Sequence, residues 1–326
     1  MGTNMDEIMV SVVCTAYNHE KYIRDALEGF VNQKTNFKFE VLINDDASTD
    51  GTADIIREYE KKYPEIIKPI YQTENQYSKG IRITNEILIP QAKGKYIAYC
   101  EGDDYWCDEN KLQMQADYLE NHPESSASVH NTYIFDLRDK SKRTMFMGKE
   151  RNLTVNDCIR GWPYSYHTSS LIARAELIKN RPEFTLMVKN VGDHPLAIFL
   201  SIMGEIHYFC NPMSVYRYGT EGSWTSNMRN DLAFKTRKFE DMVLMLKAAD
   251  SYSNYKYHSY FKKKIDTERH FVDVLKKEPF LILKYPRIHT LYIYRSIKKV
   301  LKNKFPFLLK IKTKIFSLRK KINESR

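Results

Sequence analysis

Two pairs of adjacent aspartates, Asp45-Asp46 and Asp103-Asp104, are the residues of this 326-residue chain best suited to chemistry. Adjacent carboxylates repel each other, so such a pair is tolerated where a cation, a hydrogen-bond donor or open water offsets the charge. Hard divalent cations prefer oxygen ligands and are commonly held by one or two carboxylates together with substrate phosphates. The pairs are therefore candidates for a metal and phosphate site, although an isolated pair is also typical of a solvated turn.

The surroundings of the two pairs differ. Asp103-Asp104 follows an apolar run and precedes Tyr105-Trp106, aromatic bulk that a surface turn does not need, so its position favours a metal site. Asp45-Asp46 opens the run Asp-Asp-Ala-Ser-Thr-Asp-Gly. That run is equally typical of a turn before a helix and of carboxylates that accept hydrogen bonds from a base or ribose. Tyr17 is compatible with stacking on a nucleobase and with burial in the core.

Short apolar runs alternate with helical patterns over the first 110 residues, and these elements must position the acidic pairs. The runs predict strands at 9–14, 39–43, 67–71 and 95–100, with helices at about 20–33 and after residue 51. This alternation is typical of an α/β fold with a parallel sheet covered by helices on both faces. Ligands of such sheets bind outside the carboxyl ends of the strands. The polar segments there are Thr15–Asn18, Asp45–Ser48 and Glu101–Asp104.

The pattern becomes mixed after residue 124. β-prone stretches occur at 128–135, 167–172, 207–210 and 214–218, a helix is predicted at 195–203, and two or more helices are predicted between 228 and 275.

The net charge of +10 is concentrated at one end of the chain. Residues 281–326 hold 14 Lys and Arg against one acid, a net +13, so residues 1–280 carry −3. This distribution does not favour a nucleic-acid binder, whose positive charge is expected on the folded body. No apolar run is long enough to span a bilayer, and the polar start predicts no secretory signal. Five scattered cysteines without a Cys-x-x-Cys pair argue against a disulfide framework or a zinc site.

Several nucleotide and metal motifs are missing from the sequence. The chain has no Gly-x-Gly-x-x-Gly opening a helix after the first strand and no Gly-x-x-x-x-Gly-Lys-Ser/Thr, so neither a dinucleotide fold nor a phosphate-loop nucleotidase is supported. It also lacks His-Glu-x-x-His.

Three motifs, each at a predicted strand end, resemble those of the family 2 inverting glycosyltransferases: Val10–Glu20, Val41–Thr52 and Gly94–Trp106. Two later segments, Val191–Leu196 and Ser214–Arg217, resemble the acceptor half of bacterial polysaccharide-building members. The resemblance covers residues 9 to 225 and implies a GT-A type α/β fold with a doubly wound, mostly parallel sheet. The expected organisation is a nucleotide-sugar half at 1–125, an acceptor half at 126–225, a C-terminal helical extension at 226–280 and a basic amphipathic tail at 281–326.

The resemblance also implies roles for single residues of the donor half. Asp103 matches the position near the ribose and sugar, and Asp104 matches the carboxylate of the Asp-x-Asp motif that binds Mn²⁺ or Mg²⁺. Glu101 stands where many members have the first Asp of that motif. Thr15, Tyr17 and Asp46 match the positions that hold the nucleobase, usually uracil. The nucleotide-sugar site is expected to include their neighbours Ala16, Asn18 and Asp45 as well.

Asp193 matches the base that activates the acceptor, although the usual Glu-Asp pair is Gly192-Asp193 here. From the residues alone, Asp193 is also typical of a helix N-cap before Pro195.

These roles predict a metal-dependent inverting hexosyltransferase. It would move a sugar from a nucleoside diphosphate sugar, expected to be UDP-linked, to a hydroxyl of a glycan or lipid-linked acceptor in cell-surface polysaccharide synthesis. A catalytically idle nucleotide-sugar or membrane-binding module of the same fold is the alternative. A nucleotidyl or phosphoryl transferase would also use paired carboxylates, but it leaves Asp193 unexplained.

The basic tail suits an interfacial helix on an anionic membrane, because lysines alternate with large apolar residues. The expected location is the cytoplasm, peripheral to the inner face of the cell membrane. A solvated helical face packed on the body and an oligomer contact are the alternatives for this segment.

Overall fold

The first four strands of the chain run parallel and form one side of a ten-stranded sheet. The computed structural model describes residues 7–146, 148–188, 191–220, 232–277, 281–286, 288–290 and 293. The four strands are β1 (Ile8–Ala16), β2 (Lys38–Asp45), β3 (Ile67–Tyr71) and β4 (Tyr96–Tyr99), in the spatial order β3-β2-β1-β4. β2 is buried along nearly its whole length, as expected for a parallel strand covered on both faces. The four predicted strands are confirmed.

The acceptor half extends the same sheet and makes it mixed. Its strands are β5 (Tyr105–Trp106), β6 (Ser125–Asp136), β7 (Ser141–Thr144), β8 (Arg151–Leu153), β9 (Ile172–Arg174) and β10 (Glu205–Tyr218). β9 is antiparallel to both β4 and β6, whereas β6 and β10 are parallel. The stretches predicted at 207–210 and 214–218 are one strand, β10, whose register shifts between Phe209 and Ser214. The stretch at 167–172 is mainly a 3-10 turn, Thr168–Ser170, before β9.

Helices cover both faces of the sheet, as predicted. They are α1 (Ile23–Val31), α2 (Thr52–Lys62), α3 (Ile89–Gln91, after a π-helical turn at Ile83–Leu88), α4 (Lys111–Asn121), α5 (Val155–Arg160), α6 (Ala175–Lys179), α7 (Asp193–Met203), α8 (Leu232–Tyr252), α9 (His258–Leu275) and α10 (Leu281–Lys284). β1 shows why two layers are needed, because Val12 faces the core under α1, α2 and α4 while Val13 faces the core under α6 and α7.

The core under α1 supports the acidic loop directly. Phe30 of α1 is fully buried and its ring meets that of Trp106 edge to face, with the centroids 4.9 Å apart. The Trp106 indole N–H donates to the carbonyl oxygen of Ser169, 2.8 Å away. Removing a buried Phe ring costs about 3–5 kcal/mol of stability. This contact therefore fixes the chain just after Asp103-Asp104.

The C-terminal helices share the core of the acceptor half. Met245 and Leu246 of α8 and Phe261 of α9 are buried in the same hydrophobic cluster as the side chains of α7. Most of the tail at 281–326 lies outside the described residues. Among the residues that the structure describes, none of the helices combines the length and apolarity needed to cross a bilayer.

Candidate active site

The acidic loop lies beyond the carboxyl end of β4, next to the end of β1. The Gly102 N–H donates to the Thr15 carbonyl oxygen, 2.9 Å away, which ties the two strand ends together. A Cβ at Gly102 would lie 2.9 Å from Ile23 and 3.0 Å from His19, so glycine permits this approach. Glu101, Asp103 and Asp104 each place a carboxylate oxygen within 4.8 Å of the other two. The three carboxylates are therefore close enough together to bind one cation.

The cluster crowds negative charge into a small part of the loop, where Asp104 is buried and Glu101 is exposed. Burial raises the pKa of the Asp104 carboxyl above its usual range, and the charges of Asp103 and Glu101 add to the effect. Loss of hydration at the loop, together with repulsion from Asp103 and Asp193, raises the pKa of Glu101 to about 8. A divalent cation relieves such crowding, and carboxylate oxygens are ligands that Mg²⁺ and Mn²⁺ prefer. The residues present therefore fit either metal.

Arg217, near the end of β10, holds the two aspartates from the acceptor half. Its backbone N–H donates to Asp104 Oδ1 at 2.9 Å, and its guanidinium donates to the Asp103 carbonyl oxygen at 2.8 Å and to the carboxylate of Asp25. Thr220 Oγ1 donates to Asp103 Oδ2 at 3.0 Å. Sequence analysis matched the segment of Arg217 but gave this residue no role. The signal was present, since an arginine within an apolar strand implies a buried charge with partners.

His167 faces the cluster from the opposite side, and sequence analysis did not single it out. Its Nε2 lies 3.8 Å from Asp104 Oδ2, and its Nδ1 accepts the backbone N–H of Ser169 at 3.3 Å. Burial lowers the pKa of His167 to about 4, although Asp193 and Asp103 pull it upward. The imidazole is therefore neutral at pH 7. Nε2 is the ring nitrogen that lies toward the carboxylates, whereas Nδ1 also lies 2.8 Å from the Ser169 hydroxyl oxygen.

The segments predicted to hold a nucleobase lie side by side at the ends of β1 and β2. Ala16 pairs with Asp45, and the Asp46 N–H donates to the Ala16 carbonyl oxygen at 2.9 Å. Asn18 has a positive φ of 54° and its side chain accepts the N–H of Thr49 at 2.8 Å. Thr15, Ala16, Tyr17, Asn18, Asp45 and Asp46 are thus brought together by the fold.

The two aspartates of this segment are used differently. The Asp46 carboxylate accepts the N–H groups of Gln76 at 2.8 Å and of Tyr77 at 3.0 Å, which fixes the loop after β3. The Asp45 carboxylate is also buried. Its Oδ2 accepts the N–H of Ser48 at 3.3 Å, but its Oδ1 has no hydrogen-bond partner among the residues that the structure describes. A buried acceptor without a donor is costly, so Asp45 Oδ1 is suited to a ligand N–H or O–H.

Asp193 is the first residue of α7, and the N-cap is Gly192. The N-cap interpretation of Asp193 is therefore wrong, because the helix already includes this residue. The residue is exposed, and its charge acts on both Glu101 and His167. Asp193 is therefore close enough to Glu101 and His167 for its charge to act on both.

The raised pKa of Glu101 predicts a metal effect that depends on pH. Between the ordinary value of 4.5 and about 8, the folded protein binds more protons than the unfolded chain, so its stability without metal falls as pH rises through this window. A cation takes the place of those protons. We therefore expect Mn²⁺ to raise the melting temperature more at pH 8 than at pH 6.

Differential scanning fluorimetry with Mn²⁺ or EDTA at both pH values measures this. Glutamine cannot ionise, so Glu101→Gln is expected to give nearly the same Mn²⁺-induced shift of the melting temperature at both pH values. The matched change Glu109→Gln, outside the cluster, is expected to keep the larger shift at pH 8. An equal Mn²⁺ effect at both pH values in the unmodified protein would contradict the assignment.

Comparison with known proteins agrees with this geometry. The profile of "Glycosyl transferase family 2" matches residues 11–181. The uncharacterized protein Rv1520 of Mycobacterium tuberculosis is 35% identical over 243 residues, which cover 73% of this chain and 67% of that protein. The Escherichia coli UDP-Glc:alpha-D-GlcNAc-diphosphoundecaprenol beta-1,3-glucosyltransferase WfaP is 35% identical over 112 residues, 34% of this chain and 41% of WfaP.

Two solved structures share the fold. S. aureus TarS in complex with UDP-GlcNAc superposes with a TM-score of 0.57 at 19% identity, covering 91% of this chain and 92% of that one. The mannosyltransferase PcManGT from Pyrobaculum calidifontis, in complex with GDP-Man and Mn²⁺, superposes with a TM-score of 0.51 at 17% identity, covering 92% and 88%. At these identities the likeness establishes the fold alone.

Proposed function

Because this chain belongs to glycosyltransferase family 2, we propose that it moves a sugar from a UDP-linked donor to a hydroxyl of a glycan or lipid-linked acceptor in cell-surface polysaccharide synthesis. The observation that carries the proposal is the cluster of three carboxylates, Glu101, Asp103 and Asp104, at the end of the donor-half sheet. An exposed aspartate, Asp193, begins a helix of the acceptor half and acts electrostatically on Glu101. The solved relatives bind UDP-GlcNAc or GDP-Man, which supports a nucleoside diphosphate sugar as the donor class.

Asp104, with Asp103 and Glu101 beside it, would hold Mn²⁺ or Mg²⁺, whose charge offsets the negative charge that grows on the departing diphosphate. Arg217 and Thr220 keep the two aspartates in place by occupying Asp104 Oδ1 and Asp103 Oδ2. This leaves Asp104 Oδ2, which lies 3.8 Å from His167 Nε2, as the oxygen that would bind the cation. His167 would present Nε2 to ligand groups at this position.

Asp45 is the residue we assign to the nucleobase. Its unpartnered Oδ1 suits the imide N–H of uracil, a donor that the acceptor-rich edge of cytosine lacks. Asp46 supports the site by fixing the loop that carries Tyr77. Tyr17 and Tyr77 are each about half exposed and provide aromatic faces near the strand ends. Thr15, Ala16 and Asn18 shape the same wall.

Asp193 would take the proton from the acceptor hydroxyl as that oxygen attacks the anomeric carbon in line with the leaving diphosphate. The C–O bond to the acceptor forms while the bond to the diphosphate breaks, and the proton passes to the Asp193 carboxylate. One displacement inverts the anomeric centre, so no covalent intermediate and no nucleophilic side chain are needed.

A donor screen tests the proposal. The protein is mixed with Mn²⁺ and with UDP, GDP and dTDP sugars in turn, and the melting temperature is measured. We expect UDP sugars to stabilise the protein and EDTA to abolish the shift. A larger shift with GDP sugars would contradict the assignment of Asp45 to uracil, and no shift with any of the donors would contradict the proposed donor class.

The basic tail is proposed to hold the enzyme at the inner face of the cell membrane. We expect deletion of residues 281–326, which carry a net charge of +13, to release the protein from vesicles that contain anionic lipid. Each lysine or arginine near such a surface contributes roughly 1 kcal/mol of attraction. Binding of the full chain should also weaken with salt, because ionic screening acts beyond about 8–10 Å at physiological ionic strength.

Vesicle co-sedimentation measures both effects, with neutral lipid vesicles as the control. Equal sedimentation of the full and truncated chains would contradict membrane anchoring. A truncated chain that fails to fold would show instead that apolar residues of this segment pack on the body.

A further inference from the structure

Trp162 and Tyr164 are exposed on the loop that follows α5. Trp162 keeps 57% of its surface open to solvent and Tyr164 keeps 39%. One side of the indole is supported by Phe146, whose ring centroid is 6.3 Å away. The Tyr164 ring is covered on one face by the Arg160 guanidinium, 3.3 Å from its centroid. Large aromatic side chains exposed together mark a binding surface more often than a plain loop.

The fold holds this loop in a fixed shape. Gly161 has a φ of +67°, and a Cβ there would lie 2.9 Å from His194 Nε2, so the turn packs directly on the His194 ring. The Tyr164 N–H closes the turn on the Gly161 carbonyl oxygen at 2.8 Å. Lys264 of α9 donates to the Arg160 carbonyl oxygen at 3.1 Å. The aromatic side chains are therefore presented on a supported turn.

Both ends of the loop reach the candidate active site. At its start, Gly161 contacts His194, the residue after Asp193. At its end, His167 places Nε2 3.8 Å from Asp104 Oδ2. The loop thus joins the helix of the proposed base to the wall of the proposed metal site. Trp162 and Tyr164 lie on the turn between these two ends.

We propose that the Trp162 indole is a stacking platform for a pyranose ring of the acceptor, so that the acceptor hydroxyl belongs to a cyclic sugar. This inference rests on the proposed function. The axial C–H groups of a pyranose form a flat apolar face that packs on an aromatic ring, while its hydroxyls stay at the rim. The Arg160 guanidinium, stacked on Tyr164 of the same turn, offers hydrogen-bond donors for sugar hydroxyls. An open-chain polyol has no such face and gains little from the indole.

Tryptophan fluorescence tests the contact without any turnover. The chain has three tryptophans, of which Trp106 is buried, so a Trp224→Phe variant leaves Trp162 as the reporter that solvent can reach. This variant is saturated with UDP and Mn²⁺ and titrated with methyl β-glucopyranoside or methyl N-acetyl-β-glucosaminide. Ribitol and sorbitol serve as matched open-chain probes. We expect a saturable change in emission with at least one pyranoside and none with the polyols.

The double variant Trp162→Phe, Trp224→Phe is expected to lose the emission change. No emission change with either pyranoside would overturn the proposal, as would an equal change with the polyols or in the double variant. UDP binding is recorded in the same samples by the melting-temperature shift. If UDP binds with Mn²⁺ and the pyranosides leave the emission unchanged, the proposal for Trp162 is wrong while the proposed function stands. If UDP does not bind, the proposed function itself fails.

Kinetics with the identified acceptor give a second readout. Trp162→Ala is expected to raise the acceptor KM about 10-fold while the donor KM stays within about 2-fold, and Trp162→Phe is expected to recover much of the loss. The matched change Tyr260→Ala removes an exposed aromatic on α9 and should alter neither constant. Equal changes in both KM values for Trp162→Ala would indicate a structural role and overturn the proposal.

Discussion

Asp193→Asn is expected to lower the rate of sugar transfer by about 10² to 10⁴-fold while UDP-sugar binding persists. The amide keeps the size of the carboxylate but cannot take a proton from the acceptor hydroxyl. Because Asp193 is exposed and is not the N-cap of α7, the change removes little that stabilises the fold. Stopped assays of transfer at saturating donor measure the rate, and melting temperatures with UDP and Mn²⁺ measure donor binding.

Glu183→Gln is the matched control for this change, because Glu183 is an exposed acid at the start of another short helix of the acceptor half. It should retain normal transfer. An Asp193→Asn variant with near-normal turnover would remove the assignment of the base.

Asp104→Asn is expected to abolish the Mn²⁺ dependence of UDP binding and to lower transfer by about 10² to 10³-fold. The amide can still accept the Arg217 N–H through its oxygen, so the fold is retained. Since the charged form of Asp104 is disfavoured by burial and by its acidic neighbours, the metal-free variant should melt no lower than the unmodified protein. Calorimetric titration with UDP, with and without Mn²⁺, measures the metal dependence.

Asp117→Asn provides the control for Asp104→Asn. Asp117 is an exposed carboxylate of α4 that accepts a hydrogen bond from Gln113 and lies outside the acidic cluster. The Asp117→Asn variant should keep the normal Mn²⁺ dependence of UDP binding and the normal transfer rate. Metal-dependent UDP binding by the Asp104→Asn variant would show that the cation is held elsewhere.

The donor half could be predicted from the sequence because each of its elements is specified by residues that are neighbours in the chain. Each of its four strands is a short apolar run, and a polar segment follows where the strand leaves the sheet. Parallel strands must end at one edge, so the sequence order alone brings Thr15, Asp45 and Asp104 together. Strand order could not show that Asp46 binds the protein while Asp45 keeps an oxygen for a ligand. That difference depends on the loop at Gln76 and Tyr77, which donates to Asp46.

The acceptor half could be predicted less well because its contacts are long-range. Arg217 meets Asp104 across 113 positions of the chain, and no spacing rule reveals such a partner. His167 lies in a stretch that is β-prone by composition, yet it caps a 3-10 turn and thereby faces the carboxylates. The N-cap prediction for Asp193 was wrong because capping depends on backbone dihedrals, and the backbone enters α7 one residue earlier, at Gly192.

Analysis of the reaction product by NMR tests the central claim most directly. The protein is incubated with Mn²⁺, the UDP-α-sugar selected by the donor screen and a pyranoside acceptor, and the anomeric coupling of the new linkage is measured. The account predicts a β-linked product that forms with Mn²⁺ and not with EDTA. An α-linked product would contradict the single displacement by Asp193. Binding of the UDP sugar with neither transfer nor cleavage would show a nucleotide-sugar binding module in place of an enzyme.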